Sequence, residues 1–486
     1  SMGKFGGETD NWMWPRQTCD FSVFRIYADP KTNGPADYSK DNVPYHPKHW
    51  ARVSNEGYQE GSFSMTMGYP GSTSRYLSSY GIRERYEQNA IRAQVRGVKQ
   101  EVMKRHMDAS EAVRIKYDSK YAQSSNYWKN SIGMNKCIDS IGLIQQKADF
   151  EYQLRQWMDS TGHFKGQLDF GKMSRLYAKR LSLSKARMTW LETFRRNDAL
   201  TTRALGVYRS MADGKRFYTV KKDSETFDLA TDKEVLAALL KNYREHTTNN
   251  AYLPAFYQTI DKKFKGDYQK YVNHLYKKSK VMKDGKRFRT QKYSLIKDKG
   301  IAYGRDISKV LSKINKELNK LNDSIEQQEQ LLCAAKLRME QDMPHYSDAN
   351  FTMRLSYGQV KEYNLGGRSS GYQTTAPSMV EKMKKGDSIE DYKVEPEMLS
   401  LLSNADEMPL CFLTTNDITG GNSGSPMFDG QNRLIGLAFD GNWDSLSSDI
   451  FFDSKLARCI GVDIRYVLFM MDRWGHADRL LKEIGK

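Results

Sequence analysis

The densest chemistry in the sequence lies in seven residues, Gly420-Gly421-Asn422-Ser423-Gly424-Ser425-Pro426. A glycine-rich turn lets backbone N–H groups converge beside a serine hydroxyl. In that geometry Ser423 can attack a carbonyl carbon while the N–H groups of Gly421 and Ser423 hold the developing oxyanion. Asn416, Asp417, Ile418 and Thr419 lead into the turn from the apolar run 410–415. Met427 and Phe428 lead out toward a second apolar run, 434–439. Pro426 stiffens the exit. A hairpin turn that merely contains serine is the competing reading, because short motifs have many chance matches. The longer string, set between two apolar strands, favours nucleophilic catalysis.

The other chemical candidates are weaker. The pair His46 and His49, in Tyr45-His46-Pro47-Lys48-His49, has the types but not the number of ligands a metal needs, and it reads as loop. The five cysteines (Cys19, Cys137, Cys333, Cys411 and Cys459) are far apart and contain no C-x-x-C pair. Neither a zinc knuckle nor a disulfide framework is expected. No cofactor and no metal are expected.

Elements able to position the serine turn can be read from periodicity. Asp20–Tyr27 alternates, with Phe21, Val23 and Arg25 on one side and Ser22, Phe24 and Ile26 on the other, and predicts a strand with a buried face. Residues 29–50, rich in Pro, Asp, Asn and Lys, predict a long loop. Ser62–Met67 alternates again and ends in Gly68-Tyr69-Pro70-Gly71. From about residue 82 the period becomes helical: Ile91, Val95, Val98 and Val102 recur at i, i+4, i+7, i+11. Ile307, Leu311, Ile314, Leu318, Leu321 and Ile325 repeat that spacing over about five turns. Further amphipathic stretches fall near 140–158, 173–212, 234–244 and 251–280, which predicts a domain of long antiparallel helices without a fixed repeat. Residues 343–406 read as a mixed Gly, Ser and Pro segment. The runs at 410–415 and 434–439 predict strands, and the chain is expected to close with a helix from about Val462 through Lys482. The order β, large α insertion, β suggests one β domain interrupted by helices. The boundaries expected are 1–80, 81–345 and 346–486.

Composition narrows the function classes. The 486 residues suggest two to four domains. With 39% hydrophobic and 28% charged residues, wholesale disorder is excluded. No 18-residue apolar run is present, which excludes a transmembrane helix. The formal charge of +17 is spread along the chain. Its densest cluster is Lys277, Lys278, Lys280, Lys283, Lys286, Arg287, Arg289 and Lys292, read as a solvated helix–turn face rather than a nucleic-acid or membrane surface.

The string around Ser423 resembles the nucleophile loop of trypsin-like serine peptidases. Their chain order, His, Asp, Ser, implies an acid before Ser423. Asp20, opening the alternating segment, fits, with Asp10 as its competitor. Phe5–Ser22, with Gly68-Tyr69-Pro70-Gly71-Ser72-Thr73-Ser74-Arg75-Tyr76 and Gly436-Leu437-Ala438-Phe439-Asp440-Gly441-Asn442-Trp443, is similar to the bacterial dipeptidyl-peptidase 7 and 11 family over essentially the whole chain. The resemblance implies a trypsin-like double β-barrel with an inserted helical domain, and release of dipeptides from peptide N-termini. It makes Ser423 the nucleophile and Asp20 the orienting acid. It places Asn11, Trp12, Asp440 and, from the helical domain, Asn126 around the substrate's α-ammonium. Packing on an aromatic core (Asn11, Trp12), a turn position (Asp440) and a helix-face polar position (Asn126) are the alternatives. At the position matching Gly441, acid-specific relatives carry an arginine, so Gly441 implies open space and a hydrophobic P1 side chain. The resemblance further implies a periplasmic location, allows a homodimer, and names a peptide with a free N-terminus as the partner.

Two departures stand out. Gln17 and Cys19 replace the family's more frequent His and Gly. The larger departure is the triad histidine, which in this family precedes the aspartate. The eight histidines, His46, His49, His106, His163, His246, His274, His345 and His476, all follow Asp20. The sequence is therefore expected to be the C-terminal two-thirds of such an enzyme, missing its first barrel segment and nearly inert alone. Ser1-Met2 is set aside as a cloning remnant. A non-catalytic protein that captures peptide N-termini, and a basic helical scaffold, are the other function classes.

Overall fold

The computed structural model describes residues 2–290 and 297–485, and the chain divides into two units, 1–75 with 346–486 and 76–345. Lys292 of the basic cluster lies outside the described residues. The cluster's other members are exposed around the end of one helix and the turn after it.

The first unit is built on one eight-stranded sheet. Its strands are β1 (Arg52–Val53), β2 (Phe63–Gly68), β3 (Arg354–Gln359), β4 (Gln373–Thr375), β5 (Pro409–Thr414), β6 (Ser425–Phe428), β7 (Arg433–Gly441) and β8 (Cys459–Asp463). The antiparallel order is β4-β5-β8-β7-β6-β2-β3, and β1 pairs with β7 in parallel. Just beyond β3 a single bridge, Val360 to Thr414, touches β5, and the Lys361 N–H donates to the Leu413 carbonyl at 3.1 Å. The ladder between those two strands goes no further, so the sheet is not a continuously paired barrel. Its central strands are continuous apolar runs because both faces are covered. Cys411, Phe412 and Leu413 of β5 and Ile460 and Val462 of β8 are all buried.

Three expectations in this unit are corrected. The predicted strand at 20–27 is reduced to Tyr27–Ala28, paired with Val43–Pro44. Val23, Phe24 and Ile26 are exposed, Phe24 at 88%. Alternation supplies a two-faced segment, but a strand also needs a ladder partner: the Ile26 carbonyl accepts from the Tyr45 N–H at 2.9 Å, and no backbone bond to 20–25 is formed among the described residues. The expected helix from Val462 begins instead with the fully buried strand β8. A short helix, Ile464–Phe469, follows, then a π turn at Met470–Trp474, and a last helix at Asp478–Glu483. A buried run as short as Cys459–Asp463 does not distinguish helix from central strand by period. The mixed segment 343–406 contains β3, β4 and two short helices, Ala376–Met383 and Pro396–Ser403.

The second unit is helical: α1 (Ser79–Ala109), α2 (Glu111–Ile141), α3 (Leu143–Thr161), α4 (Phe170–Phe194), α5 (Ala199–Ala212), α6 (Leu229–His246), α7 (Phe256–Phe264), α8 (Tyr268–Lys278) and α9 (Lys299–Met339). Ser110 ends α1 and caps α2, accepting from the Val113 N–H. Side-chain bonds run antiparallel between α1 and α2: Asn89 meets Asn135, Arg92 meets Ser131, and Gln100 meets Ser124. The 41-residue α9 buries Ile307, Ile314, Leu318, Ile325 and Leu332 along one stripe. Asp298 caps its first turn. No helix of the described residues is long and apolar enough to cross a membrane.

Candidate active site

Ser423 lies in the turn that joins β5 to β6, exposed, as predicted from the glycine-rich string. The loop's conformation follows from its residues. Asn422 is buried, and its side-chain oxygen accepts from the Thr419 N–H at 3.1 Å while its own N–H donates to the Thr419 carbonyl at 3.0 Å. Gly421 takes φ 110°, and a Cβ there would stand 2.4 Å from the Tyr69 carbonyl, so only glycine fits. The N–H of Gly424 donates to the Ala438 carbonyl at 2.7 Å and that of Ser425 to the Asn422 carbonyl at 2.8 Å. Among the described residues, the N–H groups of Gly421 and Ser423 donate to nothing. Two unpaired donors therefore flank an exposed hydroxyl on a loop whose Asn422, Gly424 and Ser425 amides are engaged.

The segment after β2 braces this loop. The Gly71 N–H donates to the Gly420 carbonyl at 2.6 Å. Arg75 forms a two-pronged ion pair with Asp417, one prong at 2.8 Å, and its Nε donates to the Ser448 carbonyl at 2.8 Å. Thr419 donates to Asp449. Sequence reasoning quoted Arg75 only as part of a motif. Its signal was an arginine ending a Gly-Ser-Thr-Ser run, opposite an acid beside the nucleophile turn.

Asp440 comes to the same region through a bulge in β7, where the register shifts between Ala438 and Asp440. Ala438 is also the residue whose carbonyl holds Gly424. Asp440 Oδ2 receives the Trp12 N–H at 3.2 Å and the Arg16 guanidinium, and Oδ1 receives the Gly441 N–H at 2.9 Å. The Arg16 and Asp440 side chains are only 9% and 10% exposed. Burial pushes the Asp440 carboxyl above the usual carboxylate range, against the pull of Arg16 and the two N–H donors. Trp12 stands at φ 64°, a costly backbone for a bulky residue, and it presents its N–H to Asp440. Trp12 therefore meets Asp440 as a donor. Arg16, which also lies over the Phe439 ring at 4.9 Å, is the partner that sequence reasoning missed. A lone cation inside the run Trp12–Thr18 was its signal.

The remaining candidates are placed as follows. Asn11 is half-buried beside Trp12, and Asn126 is half-buried on α2 of the helical unit. Asp10 is buried and committed to Lys382 at 2.6 Å and Tyr392 at 2.8 Å, a structural cluster that excludes it as the free acid. Asp20 is exposed next to Gly3 and accepts no hydrogen bond among the described residues. It does not open a buried strand, because the strand is not formed. Gly441 does not leave open space: a Cβ there would meet Ser445 Oγ at 2.1 Å, since the turn 443–447 folds Ser445 over it. Gln17 and Cys19 are both buried, and Cys19 belongs to a core with Met379, Leu410 and Tyr466. Burial, and then the neighbouring Cys411 and Asp20, push the Cys19 thiol well up, so it is an inert core group.

No histidine bonds Ser423 or Asp20 among the described residues. His106 pairs with Glu234, His345 with Glu340 and His246 with Asn242. His163 stacks on Trp157 and His274 lies against Phe264. His46, His49 and His476 are exposed. No three His, Cys, Asp or Glu side chains converge as a metal would require among the described residues.

Comparison with known proteins adds an independent line. The profile of the family described as Peptidase S46 matches residues 1–486. A dipeptidyl-peptidase 7 from Porphyromonas endodontalis is 41% identical over 511 aligned residues, covering 100% of this chain and 62% of that protein. A dipeptidyl-peptidase 7 from Phocaeicola vulgatus is 41% identical, with 100% and 71% covered. An Asp/Glu-specific dipeptidyl-peptidase from Porphyromonas gingivalis is 35% identical, again with 100% and 71% covered. A crystal structure of Porphyromonas endodontalis DPP11 in complex with the dipeptide Arg-Glu superposes with a TM-score of 0.85 at 30% identity, covering 99% of this chain and 72% of that one.

Proposed function

The chain belongs to the peptidase S46 family, and from that premise we propose that it is the serine-bearing part of a dipeptidyl-peptidase that releases dipeptides from free peptide N-termini. The chain spans 62% of the length of one such relative and 71% of another, so the whole protein's activity enters here as a proposal. The carrying observation is the pair of unused N–H groups, Gly421 and Ser423, beside the exposed Ser423 hydroxyl. Ser423 Oγ attacks the carbonyl after the second residue of the substrate. The two N–H groups hold the oxyanion, each donor worth roughly 3–4 kcal/mol at the transition state. The leaving amine must receive a proton, which requires an imidazole base. None of the eight histidines touches Ser423, so the base comes from outside this sequence, with the exposed Asp20 as its orienting acid. The sheet of this chain is read as part of a trypsin-type barrel, a reading supported by the antiparallel run β5-β8-β7-β6-β2-β3 and its bridge back to β5.

Asp440 accounts for selection of the N-terminus. A carboxylate offers about four acceptor sites. Here Oδ2 is occupied by Arg16 and Trp12, while Oδ1 takes only the Gly441 N–H. Oδ1 is the oxygen left to accept an α-ammonium, and the Arg16 charge opposes the burial that raises the carboxyl. Asn11 completes the proposed clamp. Acid-specific relatives weigh for Asp or Glu at P1 against the hydrophobic preference expected from Gly441, since Ser445 fills the space beside that glycine. Periplasmic export and homodimerisation belong to the same proposal.

The test joins this chain to the remaining length of its relatives and follows dipeptidyl-coumarin release. Ser423→Ala should lower turnover by at least about a thousandfold. Acetylation of the substrate amine should abolish cleavage. Glu and Leu at P1, measured side by side, decide the side-chain preference. An alanine variant that keeps full turnover would remove Ser423 from the mechanism.

A further inference from the structure

The helical unit holds a cavity of about 570 Å³ walled by α1, α2, α4 and the loop before α5. Seven arginines and lysines line it against four carboxylates. On α1, Arg92, Arg96 and Lys99 stand at i, i+4 and i+7, one face of the helix. Like charges at that spacing repel, so the arrangement needs compensation. The only carboxylate that compensates it among the described residues is Glu192, which takes Arg92 Nε at 3.1 Å and Arg96 Nε at 2.7 Å, one on each oxygen. Glu192 also acts on Lys99 through its charge, but among the described residues no carboxylate bonds Lys99. Its ammonium is 8% exposed and donates to the neutral Asn197 side-chain oxygen at 2.9 Å. Asn197 is held in turn by the Thr193 carbonyl at 2.9 Å and the Glu192 carbonyl.

The other cations add to this surplus. Lys120 donates to the Thr226 carbonyl at 2.7 Å and forms no ion pair among the described residues. Arg195 and Arg196 are exposed at the rim and are likewise without a carboxylate among the described residues. Of the acids, Glu192 is already shared by two arginines and Asp223 is bound to Arg203. Asp198 and Asp232 are buried, each pushed up by burial, and Asp198 also by the charge of Asp232. They therefore contribute less negative charge than two free carboxylates. A buried, unneutralised ammonium is costly unless something of opposite charge completes it.

We propose that this cavity binds a small multivalent oxyanion of the phosphate or carboxylate class, with Lys99 as its buried contact and Lys120, Arg195 and Arg196 around it. The site lies wholly within the helical unit and is independent of the serine chemistry proposed above. The desolvated Lys99 fits this role: burial, and then Arg96, lower its ammonium to about 8 against the opposing charge of Glu192, the direction expected of a cation with too little counter-charge. An anion here would also tie the end of α4 to α1 across the loop 195–197.

Thermal unfolding of the chain is the test, with sodium pyrophosphate and sodium citrate as separate probes against sodium chloride at matched ionic strength. A rise in unfolding temperature that saturates with either probe and not with chloride is expected. Pyrophosphate alone assigns the phosphate class, and citrate alone the carboxylate class. No saturable rise with either overturns the proposal. Lys99→Met should abolish the ligand-dependent rise, whatever it does to the basal unfolding temperature, and an undiminished rise in that variant overturns the assignment. Should Lys99→Met fail to fold, Arg195→Ser with Arg196→Ser, both at exposed positions, should weaken the probe at least about threefold. An unchanged midpoint in that variant overturns the assignment too.

Discussion

The serine turn and the segment from Asp20 to Ala28 were both expected to be ordered by local pattern, and they end differently. In the turn, Asn422 closes two bonds with Thr419, Gly424 bonds Ala438, and Ser425 bonds Asn422. In the segment, Phe24 is 88% exposed and only Tyr27 and Ala28 find a strand partner. A turn satisfies its backbone largely within itself and against adjacent strands. A strand cannot, because every second backbone group must be met by another chain segment. The two candidate residues differ accordingly: Ser423 is held by its own loop, whereas Asp20 stands exposed next to Gly3.

The contrast can be broken most forcefully at Asp440, the carboxylate that links the N-terminal segment to β7. Asp440→Ala leaves Arg16 buried without its partner and should cost about 3–5 kcal/mol in unfolding free energy. Chemical denaturation measures this, and a loss below about 1 kcal/mol would show that the pair is not shielded as described. Asp440→Ala should also raise KM more than Asn11→Ala in the assembled enzyme, since a charged acceptor is lost rather than a neutral one.

Gly421→Ala tests the turn itself. The added methyl meets the Tyr69 carbonyl, and φ 110° strains any L side chain. The variant should lose roughly 1–3 kcal/mol and displace the unused N–H groups, which turnover and denaturant midpoint report together. An unperturbed variant would mean the turn is less tightly seated than its bonds imply.

The helical unit offers a smaller effect with a definite sign. Asp198 and Asp232 have folded values raised by burial, so the folded state binds more protons than the unfolded chain. Their contribution is fully present below the unfolded carboxylate value of about 4 and is lost as pH rises through the raised folded values. The unfolding temperature should fall between about pH 4 and pH 7, and Asp198→Asn should flatten the slope. A steeper slope in that variant would contradict the assignment.

The smallest effect belongs to the exposed segment. Phe24→Ser removes a ring that packs on little, and should change the stability of this chain by less than about 0.5 kcal/mol. In a protein extended to the full length of the relatives, the same change should cost more. Equal, large losses in both proteins would show that the segment is already packed.

How far the sequence could be read depends on whether a feature closes locally. The Gly420–Pro426 turn, the stripe of α9 and the strands around 410–414 and 433–441 were legible because glycine conformations and the periods of helix and strand are short-range. The end of β8, Val462 and Asp463, was read as the start of a helix because so short a buried run has no distinguishing period. β3 was hidden in a polar segment because its alternation, Leu355 and Tyr357 against Ser356 and Gly358, is broken by glycine and faces outward.

By itself, the sequence determined the nucleophile candidate, the long helices and the interruption of one sheet-forming region by another kind of structure. Tertiary structure alone decided that Asp440 carries Arg16 and that Asp10 belongs to Lys382 and Tyr392. It decided too that Ser445 fills the space beside Gly441 and that Lys99 is buried with no carboxylate bonded to it among the described residues. Each of these pairs joins residues far apart in the chain, except the nearby Gly441 and Ser445. An electrostatic or steric partner is chosen by distance in space and by the loss of water around it, and neither is written in the order of residues.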